Sequence, residues 1–264
     1  MKPEELKLLV KEKYSIVAER GSDTGCCSTV NCCGTSGFSM TGGSYSDSPG
    51  YQPEADYGLG CGLPVGYSAI KTGDHVLDLG CGAGNDCFVA RSLTGGSGTV
   101  TGLDFTEAML EKANENLEKT GYANVNFILG DIENMPFEPH SFDVVISNCV
   151  LNLVPDKRRA FSEIYRVLKP GGQFCISDVV LSGGLPARLK EVATLYAGCV
   201  SGALVKTEYM ELISDVGFQG IAILEERVIS IPEKVLREYL TDRELTDYTR
   251  SAHRIMSITL TGSR

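Results

Sequence analysis

Ten cysteines stand in this 264-residue chain, and their neighbours sort them by what a thiol could do at each place. Cys61 sits between glycines in Gly60-Cys61-Gly62, Cys149 ends the apolar run Phe142–Asn148, and Cys199 lies in Gly198-Cys199-Val200-Ser201-Gly202. Two vicinal pairs, Cys26-Cys27 and Cys32-Cys33, precede all three. Thiolates are soft donors, so thiols that converge from distant parts of a chain select soft, thiophilic centres. The vicinal pairs lack the Cys-x-x-Cys spacing of common zinc sites. They are read as capture or redox thiols, with a zinc site or adventitious exposed thiols as the alternatives. Cys87, at a helix start, and Cys175, inside a strand, are read as small buried hydrophobes.

A second constellation binds rather than reacts. Val76-Leu77-Asp78-Leu79-Gly80-Cys81-Gly82-Ala83-Gly84 runs from a strand through a glycine-rich turn towards a helix. Glycines there let a ligand approach the backbone, and the helix start offers unpaired N–H groups. A dinucleotide site would show Gly-x-Gly-x-x-Gly. Gly-x-Gly-x-Gly after an acidic residue favours a ligand without a pyrophosphate. Asp104 ends the next strand about 20 residues on, where a carboxylate can accept from both hydroxyls of a ribose. After the third strand, Asp131 is placed to accept from an adenine amino group, with Ile132 against the ring.

The elements that must position these residues alternate. Apolar spacing predicts a helix over 3–20, stopped by Gly21. Residues 21–50 are rich in Gly, Ser, Thr and Cys and are read as a loop or flap. Strands are expected at 75–79, 99–104, 124–129, 142–148 and 173–180. Helices are expected from Asn85, over 107–120 behind a Thr106 cap, and over 156–168 ahead of Lys169-Pro170-Gly171-Gly172. Two helices are expected between 183 and 218, opened by Pro186 and by Thr207-Glu208, followed by strands near 221–229 and 255–260. Strands alternating with helices imply an α/β, doubly wound, Rossmann-like sheet with a helical insertion after strand five. The organisation expected is an N-terminal helix (1–20), a flap (21–56), a donor-binding core (57–182) and an acceptor side (183–264).

Bulk properties narrow the chemistry further. The net charge of −10, without a cluster of five basic residues, argues against a nucleic-acid partner. The start of the chain lacks an apolar leader segment and no run has spanning length, so a cytoplasmic protein without a membrane partner is expected, with its thiols mostly reduced. His75, His140 and His253 show no partner pattern and are read as structural.

Taken in order, Asp78-Leu79-Gly80-Cys81-Gly82-Ala83-Gly84, Gly102-Leu103-Asp104, Gly130-Asp131 and Arg166–Gly172 resemble the motifs of class I S-adenosylmethionine-dependent methyltransferases. The resemblance covers roughly residues 70–180 and implies seven strands, the last antiparallel. Tyr57–Pro64, Ser147–Leu153 and Gly198–Ala203 narrow it to arsenite methyltransferases, departing at Leu63, where Asn is frequent, and at Cys81, where Ser is. The resemblance implies S-adenosylmethionine as donor, held by Asp78, Gly80, Cys81, Gly82, Asp104, Asp131 and Ile132 together with Tyr57, Phe105 and Asn148. It implies Cys149 and Cys199 as ligands of As(III), with Cys61 as a third ligand or a redox partner. Protein thiols would then reduce the oxidised arsenic, with Cys61 pairing with one of Cys26, Cys27, Cys32 or Cys33. Thioredoxin or glutathione would regenerate them, and a monomer is expected. Two other readings share the donor motifs: a quinone-type or other small-molecule carbon methyltransferase, which needs no thiol set, and a non-catalytic metalloid-binding protein.

Overall fold

The structure, a computed structural model, describes residues 2–20, 45–185, 200, 202–231 and 233–264. Its centre is a seven-stranded sheet: β1 (His75–Leu79), β2 (Thr99–Asp104), β3 (Val125–Leu129), β4 (Phe142–Asn148), β5 (Leu168–Leu181), β6 (Gln219–Ile229) and β7 (Ile255–Ser263). The strand order is β3-β2-β1-β4-β5-β7-β6. The pairs from β3 to β5 are parallel, and β7 runs antiparallel to both β5 and β6. The expected sheet and its reversed last strand are both present. Order reverses between β1 and β4, which opens a crevice at their carboxyl ends, the usual ligand position in such sheets.

Alternation along the strands supplies the two layers. Leu77, Leu79 and Val145 turn to one face, with Phe161, Ile164 and Tyr209 packed over them. Val76, Val144 and Ile146 turn to the other, beneath Phe88 and Ala90. Helices α3 (Asn85–Thr94) and α4 (Glu107–Thr120) supply that second layer, with α1 (Pro3–Arg20) packed on α4, while α2 (Pro64–Tyr67) is a single turn after the Cys61 loop. Helices α5 (Lys157–Val167) and α6 (Lys206–Val216) supply the first. Phe161 packs edge-on against Phe174, Tyr209 and Phe218, which ties α5, α6 and β5 together and fixes where Tyr209 points. Buried side chains of this size contribute about 1.5–3 kcal/mol each.

Helix ends follow local chemistry. Asp156 caps α5 by accepting from Arg159 N at 3.0 Å, and Gly217 ends α6 in the left-handed conformation. Thr106 departs from expectation, because its side chain makes no cap hydrogen bond. Asp104 Oδ1 accepts the Thr106 N–H at 2.9 Å, and no hydrogen bond to the buried Thr106 hydroxyl is found among the described residues. Two short helices, α7 (Glu233–Tyr239) and α8 (Asp242–Arg250), lie between β6 and β7 and were not expected, although Thr241 and Glu244 form a capping box at the start of α8. The Pro186 helix and most of the flap fall outside the described residues. No helix among the described residues is long and apolar enough to cross a membrane.

Candidate active site

The turn after β1 builds one wall of a cavity of about 230 Å³. Gly80 has φ 68°, and a Cβ there would overlap the Val150 side chain. Its N–H and that of Cys81 bond to Leu103 O at 2.7 and 3.1 Å, which binds the turn to β2. Asp104 accepts from Gly82 N at 3.0 Å through its other oxygen. Each carboxylate oxygen therefore holds one backbone N–H and keeps a lone pair for a ligand. All ten positions expected around a donor line this cavity: Tyr57, Asp78, Gly80, Cys81, Gly82, Asp104, Phe105, Asp131, Ile132 and Asn148.

Other lining residues were not foreseen. Lys7, Val10 and Tyr14 of α1 close one end. Lys7 Nζ lies 2.6 Å from Asp131 Oδ2 and also pairs with Glu133, so Asp131 is oriented by a residue 124 positions away. Asp56 and Asp86 add acidity to the wall. Burial raises the pKa of Asp78 well above the ordinary carboxylate range, helped by neighbouring Asp86. Burial likewise pushes Asp86 up to about 7, against the stabilising Asn148 amide. Asp104 is raised by burial and held back by the N–H groups of Thr106 and Gly82. Carboxyls crowded out of water in this way favour a cationic ligand. Asn85 Oδ1 and Thr106 Oγ1, both buried on the wall, have no hydrogen-bond partner among the described residues and suit the polar groups of a nucleoside.

Thiols behind the turn play a different part. Cys87 Sγ donates to Asp78 Oδ2 at 3.2 Å, and Cys87 and Cys175 are buried as expected. Burial pushes the Cys81 thiol up to about 11 and that of Cys175 to about 12, so neither ionises near neutrality.

Cys61 and Cys149 converge. Their sulfurs and a carboxylate oxygen of Asp178 all lie within 4.8 Å of one another, and all three residues are buried. Cys149 also lines the donor cavity. Its φ of 63° is left-handed, a conformation that costs a residue with a Cβ about 1–2 kcal/mol and that gathers at functional sites. The turn is pinned by Cys149 N donating to Ser177 O at 2.8 Å. Asn148 holds the other thiol's loop: its Oδ1 accepts from Cys61 N at 3.0 Å and Gly62 N at 3.3 Å. Ser257 Oγ and Arg227 donate to Cys61 O at 2.6 and 3.4 Å. Asp178 accepts from Val179 N and from Tyr209 OH, each at 3.0 Å, and burial pushes its carboxyl up to about 7. Sequence reasoning passed over Asp178; the available signal was an acid inside the apolar run Ile176-Ser177-Asp178-Val179-Val180.

Cys199, Cys26, Cys27, Cys32 and Cys33 lie outside the described residues. The residue after Cys199, Val200, is buried in the same apolar cluster as Cys61 and Cys149. Leu204 O accepts from Leu181 N at 2.9 Å, which anchors that stretch to the end of β5. None of the three histidines lines the cavity; His75 Nδ1 lies 2.9 Å from Thr99 Oγ1.

The chain matches the methyltransferase-domain family over residues 70–217. It is 38% identical over 262 residues to an arsenite methyltransferase of Halobacterium salinarum, covering 95% of this chain and 66% of that protein. Identity to an arsenite methyltransferase of Aquipseudomonas alcaligenes is 42% over 190 residues, 69% of this chain and 54% of the other. The fold is similar to the crystal structure of an arsenic(III) S-adenosylmethionine methyltransferase from Chlamydomonas reinhardtii, with TM-score 0.65 and 40% identity, covering 76% of this chain and 66% of that one. The chain thus spans between about half and two thirds of the length of these relatives.

Proposed function

Because the chain belongs to the methyltransferase-domain family, we propose that it methylates trivalent arsenic bound to cysteine thiolates, with S-adenosylmethionine as the methyl donor. The observation that carries this reading is the position of Cys149, which lines the donor cavity while its sulfur stands beside Cys61. Similarity to arsenite methyltransferases over 95% of the chain agrees with it.

Asp104 would hold the ribose, Asp131 and Ile132 the adenine, and Asp78 with Asp86 the cationic end of the donor. Tyr57, Phe105 and Asn148 complete that pocket, with Gly80, Cys81 and Gly82 as its backbone cradle. Bound there, the donor supplies a sulfonium-activated methyl group. Cys61, Cys149 and Cys199 would hold arsenic as a pyramid with its lone pair outermost. Such a transfer needs alignment and exclusion of water rather than a general base. The thiols must deprotonate to bind, so capture of arsenic weakens in acid.

Methylation formally oxidises arsenic by two electrons. Two protein thiols would return them, releasing two protons and closing a disulfide between Cys61 and one of Cys26, Cys27, Cys32 or Cys33. Thioredoxin or glutathione would reduce it again. A monomeric, cytoplasmic enzyme of arsenic detoxification is the setting we propose.

The test is to incubate the protein with arsenite, labelled donor and thiol, and to separate the arsenicals by chromatography. Cys149→Ser and Cys199→Ser should each abolish methylation and leave donor binding intact by calorimetry. Full arsenite methylation in both variants would overturn the thiolate-bound reading, and an unaltered protein that binds donor but yields no methylated arsenical would return the assignment to a carbon methyltransferase. Failure of the unaltered protein to bind donor would return it to metalloid binding alone.

A further inference from the structure

Asp178 is the third member of the thiol cluster, and the arsenic chemistry outlined above, which needs thiolates alone, leaves it without a part. One of its carboxylate oxygens and the sulfurs of Cys61 and Cys149 lie within 4.8 Å of one another, and all three residues are buried. In a tetrahedral site with metal–sulfur bonds of about 2.3 Å and metal–oxygen bonds of about 2.1 Å, neighbouring ligand atoms stand about 3.6–3.8 Å apart. Small side-chain rotations bring a cluster of this size to that spacing. Val179 N and Tyr209 OH donate to different oxygens of the carboxylate, each at 3.0 Å, so each oxygen keeps a lone pair. Outer partners of this kind fix the direction of a metal ligand. The left-handed turn at Cys149 is tied to the neighbouring Ser177 O, and Cys149 lines the donor cavity, which gives an ion a way in.

Charge selects the ion. Lys157, itself buried, acts on Asp178 across space, while its Nζ donates to Asn152 O at 3.3 Å and to Val154 O at 3.1 Å. With both thiols ionised the three ligands carry three negative charges and Lys157 one positive, which leaves two for a divalent cation to cancel. Two sulfurs with one oxygen form a largely soft donor set, suited to zinc or cadmium rather than to the oxygen-seeking magnesium or calcium. We propose that Cys61, Cys149 and Asp178 form a site for a thiophilic divalent cation of the zinc or cadmium kind.

On binding, the cation displaces the two thiol protons, together with any proton on Asp178, and these pass to solvent. No electrons move, and the fourth position is left to water. The metal site stands apart from the arsenic reading, and only its consequence rests on that reading: a cation that holds Cys61 and Cys149 denies both thiols to arsenite. Divalent metal is then a competitor for the acceptor, and Asp178 is the residue that separates the two ligands, since the metal uses it and arsenic does not.

The test titrates cadmium chloride into the reduced, metal-free full-length chain, followed by calorimetry and by thiolate-to-cadmium absorption. Cys26→Ser, Cys27→Ser, Cys32→Ser and Cys33→Ser are combined in every sample, so that those thiols do not take the ion. Arsenite should compete with the bound cadmium. Removing a ligand costs at least what losing an outer partner costs, so Asp178→Asn should weaken cadmium at least about tenfold while arsenite binds no less tightly. Tyr209→Phe, which frees the carboxylate to turn, should weaken cadmium by a smaller factor and likewise spare arsenite. Should Asp178→Asn fold poorly, Tyr209→Phe carries the comparison. Undiminished cadmium affinity in the variant compared, or equal losses for cadmium and arsenite, would overturn the proposal. Cadmium held through Asp178 by a chain whose unaltered form methylates no arsenite would keep the metal site and refute the arsenic reading alone.

Discussion

Asn148 Oδ1 receives the backbone N–H of Cys61 at 3.0 Å, across 87 residues of chain. The same side chain donates to Gly62 O at 2.9 Å and to Asp86 Oδ2 at 3.1 Å. Because Asn148 directly precedes Cys149, the residue that places one thiol is bonded to the loop that carries the other. Asn148→Ala should leave buried backbone groups unpaired, costing about 1–3 kcal/mol of stability. Arsenite affinity, followed by calorimetric titration, should weaken about tenfold. A lower melting temperature with unchanged affinity would show that the loop is held elsewhere.

Gly62 tests the same loop sterically. A Cβ at that position would lie 2.5 Å from Ser177 Oγ and 2.7 Å from Ser177 Cβ, inside the buried face of β5. Gly62→Ala should displace Cys61 and depress arsenite binding by an order of magnitude or more, as overpacking costs about 1–3 kcal/mol. Gly66→Ala meets nothing within 4 Å and serves as the comparison, with binding expected to be unaltered.

Lys7 predicts a role for the first helix in donor binding. Lys7 and Asp131, the pair that faces the donor pocket, are partly exposed, so Lys7→Ala should weaken the donor only about two- to fivefold, in line with about 0.5–1 kcal/mol for such a pair. The difference between variant and parent should shrink in high salt, since exposed charge pairs are screened. A loss that ignores salt would place the contribution in packing by Val10 and Tyr14 instead.

Asp86 makes a prediction about pH. Its carboxyl is raised from 3.8 to about 7, so between those values the folded chain keeps a proton that the unfolded chain releases. Stability then falls as pH rises through that window, by up to about 1.4 kcal/mol per pH unit for this group, and the penalty is absent below 3.8. Asp86→Asn should flatten this part of the melting-temperature profile. A cationic donor expels the same proton, so its affinity should climb with pH towards about 7 in the parent and stay level in the variant.

Much of the donor half was legible because each part is local. The runs 75–79, 99–104 and 142–148 emerged as strands with those bounds, and the glycine turn and Asp104 sit at strand ends where the pattern put them. What stayed hidden depends on distant pairing. Asp178 carries no motif, and its meaning arises only when β5 lies beside β4 and α6 brings Tyr209 over it. Lys7 reaches Asp131 through the packing of α1 on α4, which no spacing rule encodes. Helices α7 and α8 were passed over because both are short and charged, with few apolar positions to mark a face. Thr106 misled for a local reason, since the Met109 N–H that a capping hydroxyl would take goes to the Thr106 carbonyl instead.

The left-handed backbone at Cys149 has a consequence for how such a protein can lose its activity. Glycine there removes the sulfur and relieves strain of about 1–2 kcal/mol, which offsets the thiol packing it gives up. A single replacement can therefore silence the chemistry while leaving a stable, donor-binding shell. Selection acting on folding alone would not weed out that change. Dead copies of this fold should accordingly be well-behaved proteins, recognisable by position 149 rather than by instability.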